Sequence, residues 1–322
     1  MNCVGGAAVD SRKLIKFGKN SYVVSLPKEW VETNRLEKGA ELFVEQKPGS
    51  VVISASRTGE KERVAKVSVD GKGQRELEIE LTSRYKAGYT TLILEGKDLQ
   101  VHIAAIKSFI LNLAGAEIVE QSLNRIVVKD LIDIRQIALP TLISRIDMMV
   151  RSMFQDALAK EPVPGTVLRD RDKDVNRIQF LVARVTRNVL ENPAIGNALD
   201  VSAVQAYYFD KVAWALERIG DYVKRINDEL DGRSKARQER IKGNLREAYG
   251  LYLQTMKAYY AKDDVRAVKI HEEILNHIGA QSNLIQRVKD HSELRGIANV
   301  RNVLRDLRMI LRATIEGNEA KP

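Results

Sequence analysis

Over residues 134–316 the apolar side chains recur at the helical period, and this one feature confines more than half of the chain to packed helices. Leu142, Ile146, Met149, Met153 and Ala157 stand at i, i+4, i+7, i+11 and i+15, which is one seam along a helix. The pattern returns over residues 175–189, 203–230, 241–260, 265–288 and 297–315, so six helices are expected. Breaks are expected at Pro162-Val163-Pro164-Gly165, Asn192-Pro193, Asp231-Gly232, Lys262-Asp263-Asp264 and residues 293–296. The simplest packing is two antiparallel three-helix bundles in tandem, at shallow crossing angles. The halves read as a repeat: Asp172-Lys173-Asp174-Val175-Asn176 is expected to open the second helix of one half, as Asp263-Asp264-Val265 opens that of the other. Met148, Met149 and Met153 read as core filling.

Ahead of the helices the period is shorter and the punctuation closer. Residues 12–54 read as a strand, a Gly18-Lys19-Asn20 turn, a second strand, a short helix with Pro27 at its first position, and a hairpin turning at Pro48-Gly49. Some 45 residues of this kind hold too little apolar surface to close a core alone, so a dimer is expected. Arg12, Lys13, Lys16 and Lys19 place four cations in eight residues, and Lys28 opens the short helix. Such a row reads first as a contact for DNA phosphates, although a basic edge strand also guards against aggregation.

The run Lys16-Phe17-Gly18-Lys19-Asn20-Ser21-Tyr22-Val23-Val24-Ser25-Leu26-Pro27-Lys28-Glu29-Trp30, followed by Leu36-Glu37-Lys38-Gly39-Ala40-Glu41-Leu42, resembles the AbrB/MazE/SpoVT swapped-hairpin domain. The resemblance implies an intertwined homodimer that presents Arg12, Lys13, Lys16, Lys19 and Lys28 to DNA.

Between these regions, residues 61–133 read as a small α+β connector. Strands are expected over 64–69, 90–94, 117–120 and 125–128, and helices over 75–85 and 99–113. Ala87-Gly88-Tyr89 reads as an ordinary turn. The expected organisation is therefore α+β and multidomain: a swapped-hairpin module at 10–56, the connector at 61–133, and bundles at 134–231 and 236–318.

The helical layout resembles the PhoU family, chiefly through Leu216-Glu217-Arg218-Ile219-Gly220-Asp221-Tyr222. That resemblance spans residues 137–316. It implies a regulator of phosphate uptake that contacts a transporter or signalling protein, and surface metal clusters held by carboxylates four residues apart. A swapped-hairpin module ahead of such a body resembles an archaeal arrangement. At about 100° per residue, Asp210, Glu217, Asp221 and Asp228 fall within roughly 40° of one another, away from the bundle core. Hard oxygen ligands in a row suit Mg²⁺, Mn²⁺ or ferric iron; an acidic stripe is also what a solvated helix face looks like. Asp147 matches one further family position, but Ile143, Arg305 and Met309 stand where carboxylates are expected. Arg301, Arg305, Arg308 and Arg312 instead make one side of the last helix basic, which suits an acidic partner, DNA phosphate, free phosphate or plain solvent.

Other signals exclude more than they assign. No apolar run approaches the roughly 18 residues of a membrane-spanning helix. Residues 1–11 read as a loose tail without the features of a secretory signal, and Cys3 is the single cysteine, so the cytoplasm is the expected compartment. His271 and His277 lie six residues apart, not the four of a helical zinc site, and no Gly-rich phosphate loop or nucleophile elbow is present. A net charge of +9 suits an anionic partner. The expected function is a non-enzymatic, phosphate-linked regulator that binds DNA through its N-terminal dimer. The alternative is a transporter adaptor whose N-terminal module only dimerises.

Overall fold

In the computed structural model the described residues are 11–47, 49–55, 62–161 and 163–319. The chain divides into two compact units, Met1–Glu60 and Lys61–Pro322. It is α+β: strand hairpins come first and a mostly helical region follows. Cys3, Pro48 and Pro162 lie outside the described residues.

In the first unit β1 (Ile15–Phe17) and β2 (Ser21–Val23) form an antiparallel hairpin with Ile15 opposite Val23 and Phe17 opposite Ser21. Gly18, at φ +67°, takes the left-handed conformation the turn requires. Pro27 precedes α1 (Lys28–Thr33) as its N-cap, with ψ 131°, and its carbonyl accepts the first helical bond from Val31. It is therefore not the first helical residue expected from the sequence. A second hairpin pairs β3 (Phe43–Lys47) with β4 (Ser50–Ser54). No described side chain of this unit is buried.

The second unit opens with an α/β layer. Strand β5 (Val64–Ser68), helix α2 (Gln74–Lys86), strand β6 (Thr91–Glu95), helix α3 (Leu99–Ile110) and strands β7 (Ala116–Gln121) and β8 (Arg125–Asp130) give a sheet of order β5-β6-β8-β7. β5 and β6 are parallel, joined through α2, and the other pairs are antiparallel. Val67, Leu94 and Ile126 from the sheet meet Leu77, Leu81, Tyr85 and Ile106 from the helices in one buried cluster.

Seven helices follow: α4 (Leu139–Leu158), α5 (Gly165–Glu191), α6 (Pro193–Ala198), α7 (Ala203–Leu230), α8 (Lys235–Ala261), α9 (Asp264–Arg287) and α10 (His291–Glu319). Six are the expected helices. The short α6 is added because the Asn192 side chain caps it and proline starts it, so that break in the sequence is also a helix start. α5 begins at Gly165, placing Asp172 inside it and not at its opening. α10 begins before the expected break: Asp290 accepts from the Glu293 backbone N–H, and residues 293–296 are helical. Gly296 is small for packing, since a Cβ there would lie 3.1 Å from Ile241 Cδ1. Met148 is 59% exposed and fills no core, whereas Met153 is fully buried. The helices share one apolar core in which Met153, Leu216 and Ile219 join Tyr252, Leu304 and Leu307. The packing of α7 on α10 makes the two sets of three helices continuous.

Candidate nucleic-acid interface

The β1–β2 hairpin separates two chemistries by strand alternation. Ile15 and Phe17 project to one face with Val23, while Lys16 projects to the other, opposite Tyr22. Lys19 sits in the turn, and Arg12 and Lys13 lead into β1. All four cations are exposed. So are Leu14, Ile15, Phe17, Tyr22, Val23 and Val24, with Phe17 at 69%. Lys28 lies 3.5 Å from Glu32 on the next turn of α1, an exposed pair that contributes little stability and partly neutralises that cation. An apolar face with no cover, next to a row of cations, is what a hairpin needs to bury against a second copy while keeping its charges for an anion.

The α7 carboxylates turn away from the bundle core, as expected; Asp228 is exposed, whereas Asp210, Glu217 and Asp221 are half-buried. Lys86, at the end of α2, lies over the Phe180 ring at 4.3 Å and donates to Gln179 at 3.2 Å. Its ammonium faces Asp210 and Glu217. Burial raises the pKa of Asp210 against the pull of Lys86, and Asp210 Oδ1 is buried with no hydrogen-bond partner among the described residues. Glu217 is pushed up to about 7, first by burial and then by the charges of Asp221 and Asp172, with Lys86 and Lys224 opposing. Lys224 Nζ sits 2.7 Å from both Asp172 and Asp221, and Arg225 lies 2.5 Å from Asp221. Asp228 is paired with Arg169 at 3.5 Å.

These residues as placed do not fit a metal. Lys224 already lies between Asp221 and the neighbouring Asp172 and, with Arg225, neutralises Asp221. Among the described residues no three His, Cys, Asp or Glu side chains converge as a ligand set. Asp147 is elsewhere: it is buried on α4, accepting from Arg151 at 2.8 Å, Tyr252 at 2.6 Å and Tyr260 at 2.9 Å. The five residues expected to hold a metal are thus not brought to one place. The i, i+3 spacing of Asp221 and Lys224 and the i, i+4 spacing of Asp221 and Arg225 were readable signals of mutual neutralisation. Nothing local pointed to Lys86, which arrives from the α/β layer.

Residues 15–61 match the family described as antidote-toxin recognition MazE, bacterial antitoxin. The N-terminal module is accordingly MazE-like, and the match leaves the helical region outside it. No curated protein and no solved structure matches the chain.

Proposed function

We propose that this chain is a DNA-binding, antitoxin-like regulator. Two MazE-like modules interleave to bury Ile15, Phe17 and Val23, and the paired arms present Arg12, Lys13, Lys16 and Lys19 to duplex phosphates. The observation that carries this reading is that no described side chain of the first unit is buried in one copy, while its hairpin carries both the apolar face and the cations. The helical region is the sensing or partner-binding body. We assign phosphate uptake or phosphate-responsive transcription as the regulated process. The support for that assignment is the resemblance of residues 216–222 and the tandem helical layout. Retardation of duplex DNA tests the first part. Affinity should fall with salt by about 0.9 in log–log slope per neutralised phosphate, and the slope should flatten in Arg12→Ala/Lys13→Ala. Binding unchanged by that substitution overturns the assignment of the arm and favours the adaptor reading. Phosphate uptake and its transcripts unaltered by loss of the protein overturn the second part.

A further inference from the structure

α7 and α10 run side by side and antiparallel, tied by Arg295 to Glu229 at 2.6 Å, Arg218 to Asp306 at 3.0 Å and Tyr208 to Glu316 at 3.3 Å. On α10, Arg301, Arg305, Arg308 and Arg312 stand at i, i+4, i+7 and i+11, within roughly 60° of one another and along about 16 Å of helix. None is ion-paired with a carboxylate among the described residues, and the buried Nε of Arg301 has no hydrogen-bond partner. Among the described residues Arg305 donates to Asn302, at 3.4 Å. Arg308 Nε donates to Nε2 of His271 on α9 at 3.2 Å, which requires a neutral imidazole. Burial and the charges of Arg308 and Arg312 lower the pKa of His271, which favours that form.

On α7 the adjoining outer row alternates rings and cations: Tyr207, Lys211, Trp214, Arg218, Tyr222 and Arg225 fall within roughly 80°. Lys211 Nζ lies 4.6 Å from the centre of the Tyr207 ring, and the Arg218 guanidinium lies 4.4 Å from that of Trp214. Tyr207 and Trp214 nevertheless remain 45% and 43% exposed. Arg218 ties its row to α10 through Asp306, the residue that follows Arg305 in the chain. The acids facing this surface are already engaged or off to the side: Asp306 by Arg218, Asp221 by Lys224 and Arg225, Glu316 by Tyr208, and Glu272 beside His271. Arg225 is thereby neutralised, and among the described residues the free cations of the face are those of the α10 row.

We propose that the joined faces of α7 and α10 bind single-stranded nucleic acid, with phosphates on the arginine row and bases stacked on Trp214 and Tyr207. Four guanidiniums on one helix face repel one another, and an anion relieves that repulsion. A single strand offers both phosphates for the cations and free base faces for the half-exposed rings. A duplex hides its bases, and an acidic peptide offers the rings no flat partner. This site lies in the second unit and is independent of the duplex-binding arm.

The test uses the full chain carrying Arg12→Ala, Lys13→Ala and Lys16→Ala to silence the arm, and Trp30→Phe to leave Trp214 as the single tryptophan. An oligothymidylate of about 12 nucleotides should bind, quench Trp214 fluorescence, and show a log–log salt slope of roughly −0.7 per phosphate contacted. Arg305→Glu/Arg312→Glu, at exposed positions without carboxylate partners, should weaken binding at least ten-fold with melting unchanged. Trp214→Ala should lower affinity and end the preference over duplex. The proposal is overturned by absence of oligonucleotide binding at low salt, by binding insensitive to Arg305→Glu/Arg312→Glu, or by equal duplex binding without quenching. Polyglutamate bound in place of the oligonucleotide also overturns it and makes the face one for an acidic protein.

Discussion

Arg184 of α5 donates to Asp130 at the end of β8 across 2.6 Å, with the two side chains only 3% and 6% exposed. The same guanidinium donates to the carbonyls of Tyr85 and Tyr89 at 2.8 and 2.9 Å, so one buried arginine fastens the helical core to both ends of the turn between α2 and β6. This gives Gly88 and its turn a structural task in place of a ligand-binding one. Burial outweighs the guanidinium at Asp130 and holds its carboxyl above the usual range.

Removing one partner should therefore cost more than removing both. Arg184→Leu leaves a buried carboxylate and two carbonyls unsatisfied and is expected to destabilise the second unit by roughly 3–5 kcal/mol. Arg184→Leu/Asp130→Leu should recover part of that loss. Chemical denaturation of the four species of the cycle measures it, and a double variant as unstable as the sum of the singles would contradict the pairing.

Asp147 ties α4 to α8 through the hydroxyls of Tyr252 and Tyr260. Tyr252 is fully buried, so Tyr252→Phe removes a donor that water cannot replace and should cost about 1–3 kcal/mol. Tyr260 is 45% exposed, and Tyr260→Phe should cost clearly less. Equal effects in thermal melts would show that burial does not set the difference.

Glu217 supplies a pH dependence whose sign follows from its raised pKa. Held up to about 7 in the fold, against the 4.5 taken as its ordinary value, it keeps its proton in the folded state after the unfolded chain has released its own. Its contribution is present below the unfolded value and is lost as pH rises through about 7. Glu217→Gln, which cannot ionise, should come closest to the parent near pH 4 and melt a few degrees higher near pH 8. Melting curves across that range, with chelator present, check it; a gap that narrows with pH would reverse the assignment.

Ile15→Asp/Phe17→Asp places charges on the apolar face of the first hairpin and should prevent self-association while leaving the helical region folded. Light scattering should report half the parent mass with little change in helical circular dichroism. A parent that is itself monomeric at micromolar concentration would remove the basis of the proposed duplex grip.

The long helices, the two N-terminal hairpins and the strands of the middle segment were legible in the sequence, because each is written in local periodicity and turn residues. The same holds for the arginine row of α10, since i, i+4, i+7 and i+11 fix a shared face before any packing is known. Local pattern misled where a residue had a distant reason for being there. Gly296 reads as a break but is small because Ile241 crosses it, and Met148 reads as core but points outward. Only the tertiary structure brought Lys86 to Glu217, set Arg218 across from Asp306, and buried Arg184 against Asp130, pairs whose members lie tens of residues apart. Periodicity tells a side chain which face of its own helix it occupies. Which charge meets it there, and how much water remains between them, depends on how the helices and the sheet layer pack, and that decides whether a carboxylate is a ligand, an ion-pair partner or a proton store.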